Sequence, residues 1–202
     1  MSKYHFKTSS IYYKNTNIPK NKLNIKDKAI LDEIEYKLIE QSYKIFTSTL
    51  TKDTILDEDY FINLHKKTFE SLYDFAGIYR NVNMSKEDSQ FCLAMYLQSE
   101  SKRIFTELKN ENYLTNIKDI NLFAKKLAYY QCELIALHPF YELNGRIIRL
   151  YIDILALFNG YKPIDYTHAV KNNLYITASK ECVQFANCEL LEKIISQGLS
   201  KI

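Results

Sequence analysis

The chain has 202 residues, of which 47% are hydrophobic and 25% are charged, and its formal net charge is +3. This composition excludes a globally disordered chain, and so small a net charge gives no argument for a nucleic acid partner. Only 4 glycines and 3 prolines occur, and because β-rich folds need many turn residues, we expect helices.

The four cysteines form no Cys-x-x-Cys pair and have no histidines at metal-binding spacing, so free thiols are expected rather than a zinc site. No apolar run is long enough to cross a bilayer, and the first residues lack the hydrophobic region of a secretion signal. The sequence therefore predicts a cytoplasmic protein without a membrane partner, and leaves open its export as an effector.

Residues 1–28 are polar and rich in Asn and Lys, which predicts an extended arm in front of a single helical domain over 29–202. Helical spacing of apolar residues follows the arm, with Asp27 as the expected N-cap of the first helix. A second helix is predicted from about Asp57.

The clearest β signal lies in residues 75–91, where alternating residues followed by a polar cluster predict a short hairpin. Two strongly apolar helices come later, and Asn159-Gly160 is expected to end the second of them. Their core-facing residues step by three and four positions: Phe123, Leu127, Tyr130, Leu134 and Leu137 in the first, and Ile147, Tyr151, Ile154 and Phe158 in the second.

The connection between these two apolar helices carries chemically useful residues. His138 is a general base available near neutral pH, and Glu142 can hold a divalent cation shared with phosphate oxygens. The new helix begins at Asn144-Gly145, where unpaired N–H groups and the positive end of the helix dipole suit a phosphate.

Arg146 and Arg149 lie three residues apart in the first turns of the new helix, and therefore on one face. Their guanidinium groups add bidentate donors for an anion. A histidine at a helix end alone is usually a cap, and an arginine pair alone usually lies at the surface. Their joint occurrence favours a Mg-nucleotide site beside a base.

Residues 138–149, HPFYELNGRIIR, resemble the signature H-P-F-x-[D/E]-G-N-G-R-x-x-R of the Fic (filamentation induced by cAMP) domain family. Residues 73–86 are similar to the family's Y-x-W-A-G-x-Y-R-x-V-x-x-S-K stretch, with Phe75 in place of Trp. Residues 21–25, NKLNI, also resemble the N-K-L-G-I of many relatives. The resemblance covers about residues 12 to 195.

The resemblance implies an all-α Fic-type bundle with one short β-hairpin, called the flap. It also implies a protein adenylyltransferase that moves AMP from ATP to a Tyr, Thr or Ser hydroxyl of a protein substrate, with Mg²⁺ as cofactor. Residue by residue, it implies His138 as the catalytic base, Glu142 as the Mg²⁺ ligand, and phosphate contacts from Leu143, Asn144, Gly145, Arg146 and Arg149.

The flap, roughly residues 81–91, is implied to clamp a target segment by strand addition. Its residues in this role would be Asn81, Val82, Asn83, Met84, Lys86 and Phe91.

Leu143 departs from the family pattern, which prefers Gly at this position. A leucine adopts a positive φ only with strain, so a need for that conformation would distort the phosphate cradle. If an ordinary φ is sufficient there, Leu143 can point away from the cradle and do little harm. Gly145, by contrast, matches the branch that transfers AMP, since Lys there marks the phosphorylating Doc-like branch.

Many relatives carry an inhibitory helix with [S/T]-x-x-x-E-[G/N], and the partial matches at Thr177–Glu181 and Thr54–Glu58 do not complete it. A separate antitoxin-like inhibitor is therefore a hypothesis, which repeated failure to co-purify one would contradict. Two alternatives to the transferase stay open: a binding module weakened by Leu143, and the transfer or removal of a different nucleotide.

Overall fold

The computed structural model describes residues 5–6 and 11–202, and within them it contains eight α-helices and one small sheet. The fold is mostly helical, as predicted. The helices are α1 Lys28–Ser48, α2 Glu58–Phe69, α3 Leu97–Asn110, α4 Ile120–Leu137, α5 Asn144–Phe158, α6 Thr167–Lys171, α7 Leu174–Phe185 and α8 Glu189–Gly198. The strands are β1 His5–Phe6, β2 Met84–Lys86 and β3 Ser89–Gln90.

The first two helices begin where the sequence predicts them to begin. The side chain of Asp27 accepts hydrogen bonds from the amides of Ala29 and Ile30, and Asp57 accepts one from the amide of Tyr60. Each carboxylate satisfies amides that the first turn leaves without a helical partner, which is why an acidic N-cap fixes the start of a helix.

Helix α4 is the centre of the bundle and packs against α3, α5, α7 and α8. Its predicted apolar stripe is buried, with Phe123, Leu127 and Tyr130 fully inaccessible to solvent. In α5 the predicted Ile147, Tyr151 and Ile154 are equally inaccessible. The connection at 138–143 therefore lies between two helices whose core-facing residues are buried.

The predicted hairpin consists of β2 and β3, paired antiparallel with Ser85 opposite Gln90. A third strand, which the sequence did not predict, completes the sheet in the order β1-β2-β3. It belongs to the chain's own N-terminal part, with His5 opposite Ser85 and Phe6 opposite Met84.

The described part of the predicted arm is folded onto the bundle. Tyr12 and Pro19 form an antiparallel bridge, and the amide of Lys22 donates to the carbonyl of Leu72. Residues 1–4 and 7–10 of the arm lie outside the described residues. None of the helices in the described chain combines the length and apolarity that crossing a membrane requires.

Gly77, in the turn after α2, has a positive φ of 73° and little space for a side chain. A Cβ atom there would lie 2.6 Å from the Cβ of Lys66. Gly160, after α5, has a φ of 82° but no heavy atom within 4 Å of such a Cβ. Both glycines therefore have a positive φ, but only at Gly77 would a side chain also collide with its neighbours.

We expect Gly77→Ala to lower the free energy of unfolding by about 3 kcal/mol, since positive φ and overpacking both oppose the methyl group. The matched control Gly160→Ala meets only the first penalty and should lose about 1 kcal/mol. Urea unfolding measures both values, and equal losses would contradict the steric part of the explanation.

Candidate active site

The connection between α4 and α5 is held by conformations and hydrogen bonds that the chain itself supplies. His138 ends α4 in the left-handed region with φ 46°, and Leu143 precedes α5 with φ 67°. The side-chain oxygen of Asn144 accepts from the amide of Phe140 (2.8 Å), and its Nδ2 donates to the carbonyl of Phe140 (2.7 Å). The Asn144 side chain therefore closes the loop. Since both of its polar atoms are used in this way, only the backbone amide of Asn144 is left to bind a phosphate.

Leu143 adopts the left-handed conformation that favours glycine, at a cost of about 1–2 kcal/mol. Its side chain is 5% exposed. The sequence left open whether this position needs a positive φ, and the structure has one. The leucine thus occupies a conformation that glycine adopts without strain, and its side chain lines a cavity beside the N-terminus of α5.

A cavity of about 240 Å³, here called the site cavity, opens beside the N-terminus of α5. It brings together most of the residues predicted for the site, and adds one wall from α7 that the sequence did not predict. The predicted residues that line it are His138, Leu143, Asn144, Gly145, Arg146, Arg149, Lys86 and Phe91. The α7 residues are Tyr175, Ile176, Ser179, Lys180 and Val183.

His138 is 7% exposed, and its ring stacks on Phe91 of the flap with centroids 3.8 Å apart. Its Nδ1 lies 3.3 Å from the carbonyl oxygen of Ile135, which can only accept a hydrogen bond. With its proton on Nδ1 the neutral ring donates to this carbonyl, and the basic nitrogen of that tautomer is Nε2, the form that a general base needs.

The N-terminus of α5 presents backbone amides to the site cavity. Within the part of the chain that the structure describes, the amides of Asn144 and Gly145 donate to no protein acceptor. A Cβ at Gly145 would meet nothing within 4 Å, so this glycine keeps open the space in front of the amides. The arrangement suits an anion.

Arg146 is oriented by a buried carboxylate from α1. Its Nη1 donates to Oε2 of Glu35 at 2.8 Å, and Oε1 of Glu35 accepts from the hydroxyl of Tyr73 at 2.5 Å. Glu35 is only 5% exposed, so the pair is shielded from water on the side of the carboxylate.

Arg149 lies with its guanidinium carbon 5.2 Å from the centre of the Tyr175 ring, a cation–π contact with α7. Among residues 11–202, no carboxylate lies within salt-bridge distance of Arg149. Glu181 of the partial inhibitory match bonds Asn187, and Glu58 of the other match bonds Tyr79.

Glu142 is placed differently from the other predicted site residues, because it does not line the site cavity. It is 4% exposed, and its Oε1 accepts a hydrogen bond of 2.5 Å from the hydroxyl of Tyr12 in the arm. It lines a second cavity of about 230 Å³ together with Glu35, Leu31 and Pro19. One carboxylate beside an anion site fits Mg²⁺, which commonly takes one or two carboxylates and completes its shell with phosphates and water.

The flap residues divide into two groups. Lys86 and Phe91 line the site cavity, and Met84 is buried against Phe91. Asn81 and Asn83 instead bond Tyr141 and the amide of Ala94. The flap is also tied to α7, since Lys180 pairs with Glu87 and Gln184 donates to Ser89.

Arg80 ties the flap to the end of α4 and is 2% exposed. Its guanidinium donates to the carbonyls of Leu137 and His138 at the end of the helix, and to those of Val82 and Cys92 at the two ends of the flap. Burial lowers the pKa of Arg80 to about 10, so it stays charged at neutral pH. Val82, a predicted flap residue, thus contributes its carbonyl as a hydrogen-bond acceptor for Arg80.

His65 of α2 supports the connection between α4 and α5. Its ring stacks on that of Phe140, with the centroids 3.9 Å apart. Its Nδ1 accepts from the amide of Gly77 (2.9 Å), and its Nε2–H donates to the carbonyl of Glu142 (3.1 Å). Complete burial lowers its pKa to about 4, so the ring is neutral.

Sequence reasoning missed Tyr12, Glu35, His65, Arg80 and the α7 wall as parts of the site. Each is remote in sequence from 138–149, and Tyr12 is 130 residues away from Glu142. Only the scarcity of arginine pointed to Arg80, since the chain has four arginines and three of them, Arg80, Arg146 and Arg149, lie at this site.

Comparison with known proteins agrees with this geometry. The family model described as Fic/DOC family matches residues 55–156, just over half of the chain, and includes the loop and α5. The chain belongs to the Fic/DOC family.

Two relatives and one solved structure give the level of similarity. The chain is 29% identical to a Sinorhizobium fredii protein named probable protein adenylyltransferase y4lH, over 80% of this chain and 82% of that protein. It is 31% identical to the protein adenylyltransferase VbhT of Bartonella schoenbuchensis, over 100% of this chain but 41% of that protein.

The solved structure is the N-terminal Fic domain of a VirB-translocated Bep effector protein from Bartonella quintana, which has ADP bound. It superimposes with a TM-score of 0.81 at 25% identity and covers 95% of this chain and 94% of that one.

We expect the stability of the wild type relative to His65→Gln to fall by about 3 kcal/mol between pH 7 and pH 4, at 1.36 kcal/mol per pKa unit. The pKa of His65 is lowered from 6.5 to about 4. In that window the unfolded chain binds a proton that the native state does not, so stability falls as the pH falls.

Urea unfolding at several pH values measures this difference. Burial raises the pKa of Asp153 to about 6, which acts in the opposite direction, but it contributes equally to both proteins and cancels. A stability difference that stays constant with pH would contradict a neutral, buried His65.

Proposed function

We propose that this protein is a protein adenylyltransferase that transfers AMP from ATP to a hydroxyl of a target protein. One observation carries the proposal. The connection between α4 and α5 lines a single cavity with a histidine, the first residues of a helix N-terminus and two arginines.

The residues divide the reaction among them. His138 Nε2 takes the proton from the target hydroxyl, whose oxygen forms a bond to the α-phosphorus while the bond to the pyrophosphate oxygen breaks. The amides of Asn144 and Gly145 bind phosphate oxygens at the N-terminus of α5, and Arg146 and Arg149 bind the outer phosphates. Pyrophosphate leaves, and the proton stays on His138.

Glu142 is the residue that would hold Mg²⁺. When bound, the ion neutralises part of the charge on the phosphates. The Oε1 of Glu142 accepts a hydrogen bond from the Tyr12 hydroxyl.

The names of the relatives support the transferase, and they do not favour a binding module or a different nucleotide as the alternative. The ADP in the neighbouring Bartonella quintana structure supports an adenine nucleotide as the ligand. The α7 wall with Tyr175 and Ile176 gives the cavity an apolar side that the adenine ring of a nucleotide can contact.

We infer that the flap presents the target segment. The pairing of β1 with β2 supports this role, because that edge already binds an extended part of the chain in antiparallel register. Phe91 places the flap directly against the His138 ring, so a segment paired with the flap lies beside the base.

We expect His138→Ala to reduce label transfer from α-³²P-ATP to a lysate protein by about 10²–10⁴-fold, the usual contribution of a general base. Calorimetric binding of ATP should persist, because the anion contacts come from α5. The control His168→Ala removes an exposed histidine in α6 and should label at the wild-type rate. A wild type that binds ATP yet labels no protein would argue against the transferase.

At position 143 we expect Gly and Ala variants to bind ATP equally, since both clear the same side chain from the cavity. They should differ in stability, with Leu143→Gly more stable than Leu143→Ala by about 1 kcal/mol, because only glycine is unstrained at φ 67°. Calorimetric titration and urea unfolding test the two halves. Improved ATP binding in the glycine variant alone would mean that the leucine distorts the loop.

A further inference from the structure

We propose that Tyr12 is a positioning residue of this site, whose hydroxyl fixes the orientation of the Glu142 carboxylate, the group that would hold Mg²⁺. This inference rests on the proposed function. It makes the segment in front of the helical domain a working part of the site.

The contact is direct and partly buried. Tyr12 Oη donates to Glu142 Oε1 at 2.5 Å, and Glu142 is 4% exposed. A hydrogen bond to a carboxylate that is itself nearly buried restricts the rotation of that carboxylate. The bond joins two residues 130 positions apart, so tertiary structure alone creates it.

The arm is built to hold Tyr12 in place. Around its bridge with Pro19, the amide of Lys20 donates to the carbonyl of Ile11 (2.6 Å), and the amide of Tyr13 donates to that of Ile18 (3.0 Å). The segment is therefore a closed turn with its own backbone hydrogen bonds.

Asn21 then fixes this turn to the start of the bundle. Its side chain donates to the carbonyls of Pro19 and Ile25 and accepts from the amide of Ile25. The next residue, Lys22, bonds the backbone of Leu72. Because these contacts are made by backbone and by a buried amide, the position of Tyr12 does not depend on its own hydroxyl.

The chemistry of a phenol suits this task. Its O–H occupies one of about four lone-pair positions of the carboxylate and leaves the negative charge in place, as a metal ligand requires. The neighbouring carboxylate, Glu35, is directed to Arg146 instead. Two acids in the same second cavity are thus oriented by different donors.

Hydrogen bonds to a metal-ligating carboxylate control how well it binds the ion, and their loss commonly costs 10–100-fold in metal affinity or activity. A Mg²⁺ held by one protein carboxylate and by phosphates depends heavily on the orientation of that carboxylate. The effect of Tyr12 should therefore appear in the Mg²⁺-dependent part of nucleotide binding.

The test measures AMPPNP binding by calorimetry, with Mg²⁺ and with EDTA, in the full chain. We expect Tyr12→Phe to reduce the affinity gained from Mg²⁺ by about 10-fold or more and to leave the affinity in EDTA unchanged. The matched control Tyr13→Phe removes the neighbouring hydroxyl, on a ring that lies 5.4 Å from Lys26 Nζ, and should behave as the wild type.

A double-mutant cycle shows whether Tyr12 acts through Glu142. Glu142→Gln keeps an oxygen that can accept from Tyr12 but lacks the charge, so it should lose the gain from Mg²⁺ by itself. Adding Tyr12→Phe to Glu142→Gln should then change nothing further.

Three results would overturn the inference: a full Mg²⁺ gain in Tyr12→Phe, equal losses with Mg²⁺ and with EDTA, or an undiminished effect in the Glu142→Gln background. Thermal unfolding without nucleotide accompanies each variant, and a loss of fold in Tyr12→Phe counts as the second of these results. A wild type that binds no AMPPNP in either condition would defeat the proposed function as well, whereas the three results above leave it intact.

Discussion

The site depends on one side chain that closes a loop. Asn144 bonds both the amide and the carbonyl of Phe140, and it is fully buried. With the loop closed, the C-terminus of α4 and the N-terminus of α5 are held side by side. That juxtaposition brings His138 to the N-terminal amides of α5. An aspartate could not replace the asparagine, because it lacks the donor for the Phe140 carbonyl.

The closed loop contains strained backbone conformations. Both His138 and Leu143 have positive φ values without being glycine. Such strain persists only where the surroundings determine the conformation more strongly than the residue does. Here the surroundings are the buried stripes of α4 and α5, the Phe140 ring on His65, and the Glu142 carbonyl on the same imidazole. A well-packed bundle therefore lets a leucine occupy a glycine position.

The sequence predicted the elements with strong periodicity or strong caps. Asp27 and Asp57 start their helices, and the stripes of α4 and α5 are buried. It also indicated which residues gather at the site cavity, because they are adjacent in one segment. It did not reveal β1, whose two residues carry no pattern, or the α7 wall. Nor did it show that Glu142 faces the arm, since a contact between residues 12 and 142 leaves no local trace.

Arg80 has a consequence for which hydroxyls can react. A single guanidinium holds the carbonyls at the end of α4 and at both ends of the flap, so the base and the strand edge form one rigid frame. In an enzyme of the proposed class, the distance between a target segment paired with the flap and His138 is then fixed. Such a frame selects an acceptor by its place along an extended segment, and the chemical identity of the residue that carries the hydroxyl becomes secondary.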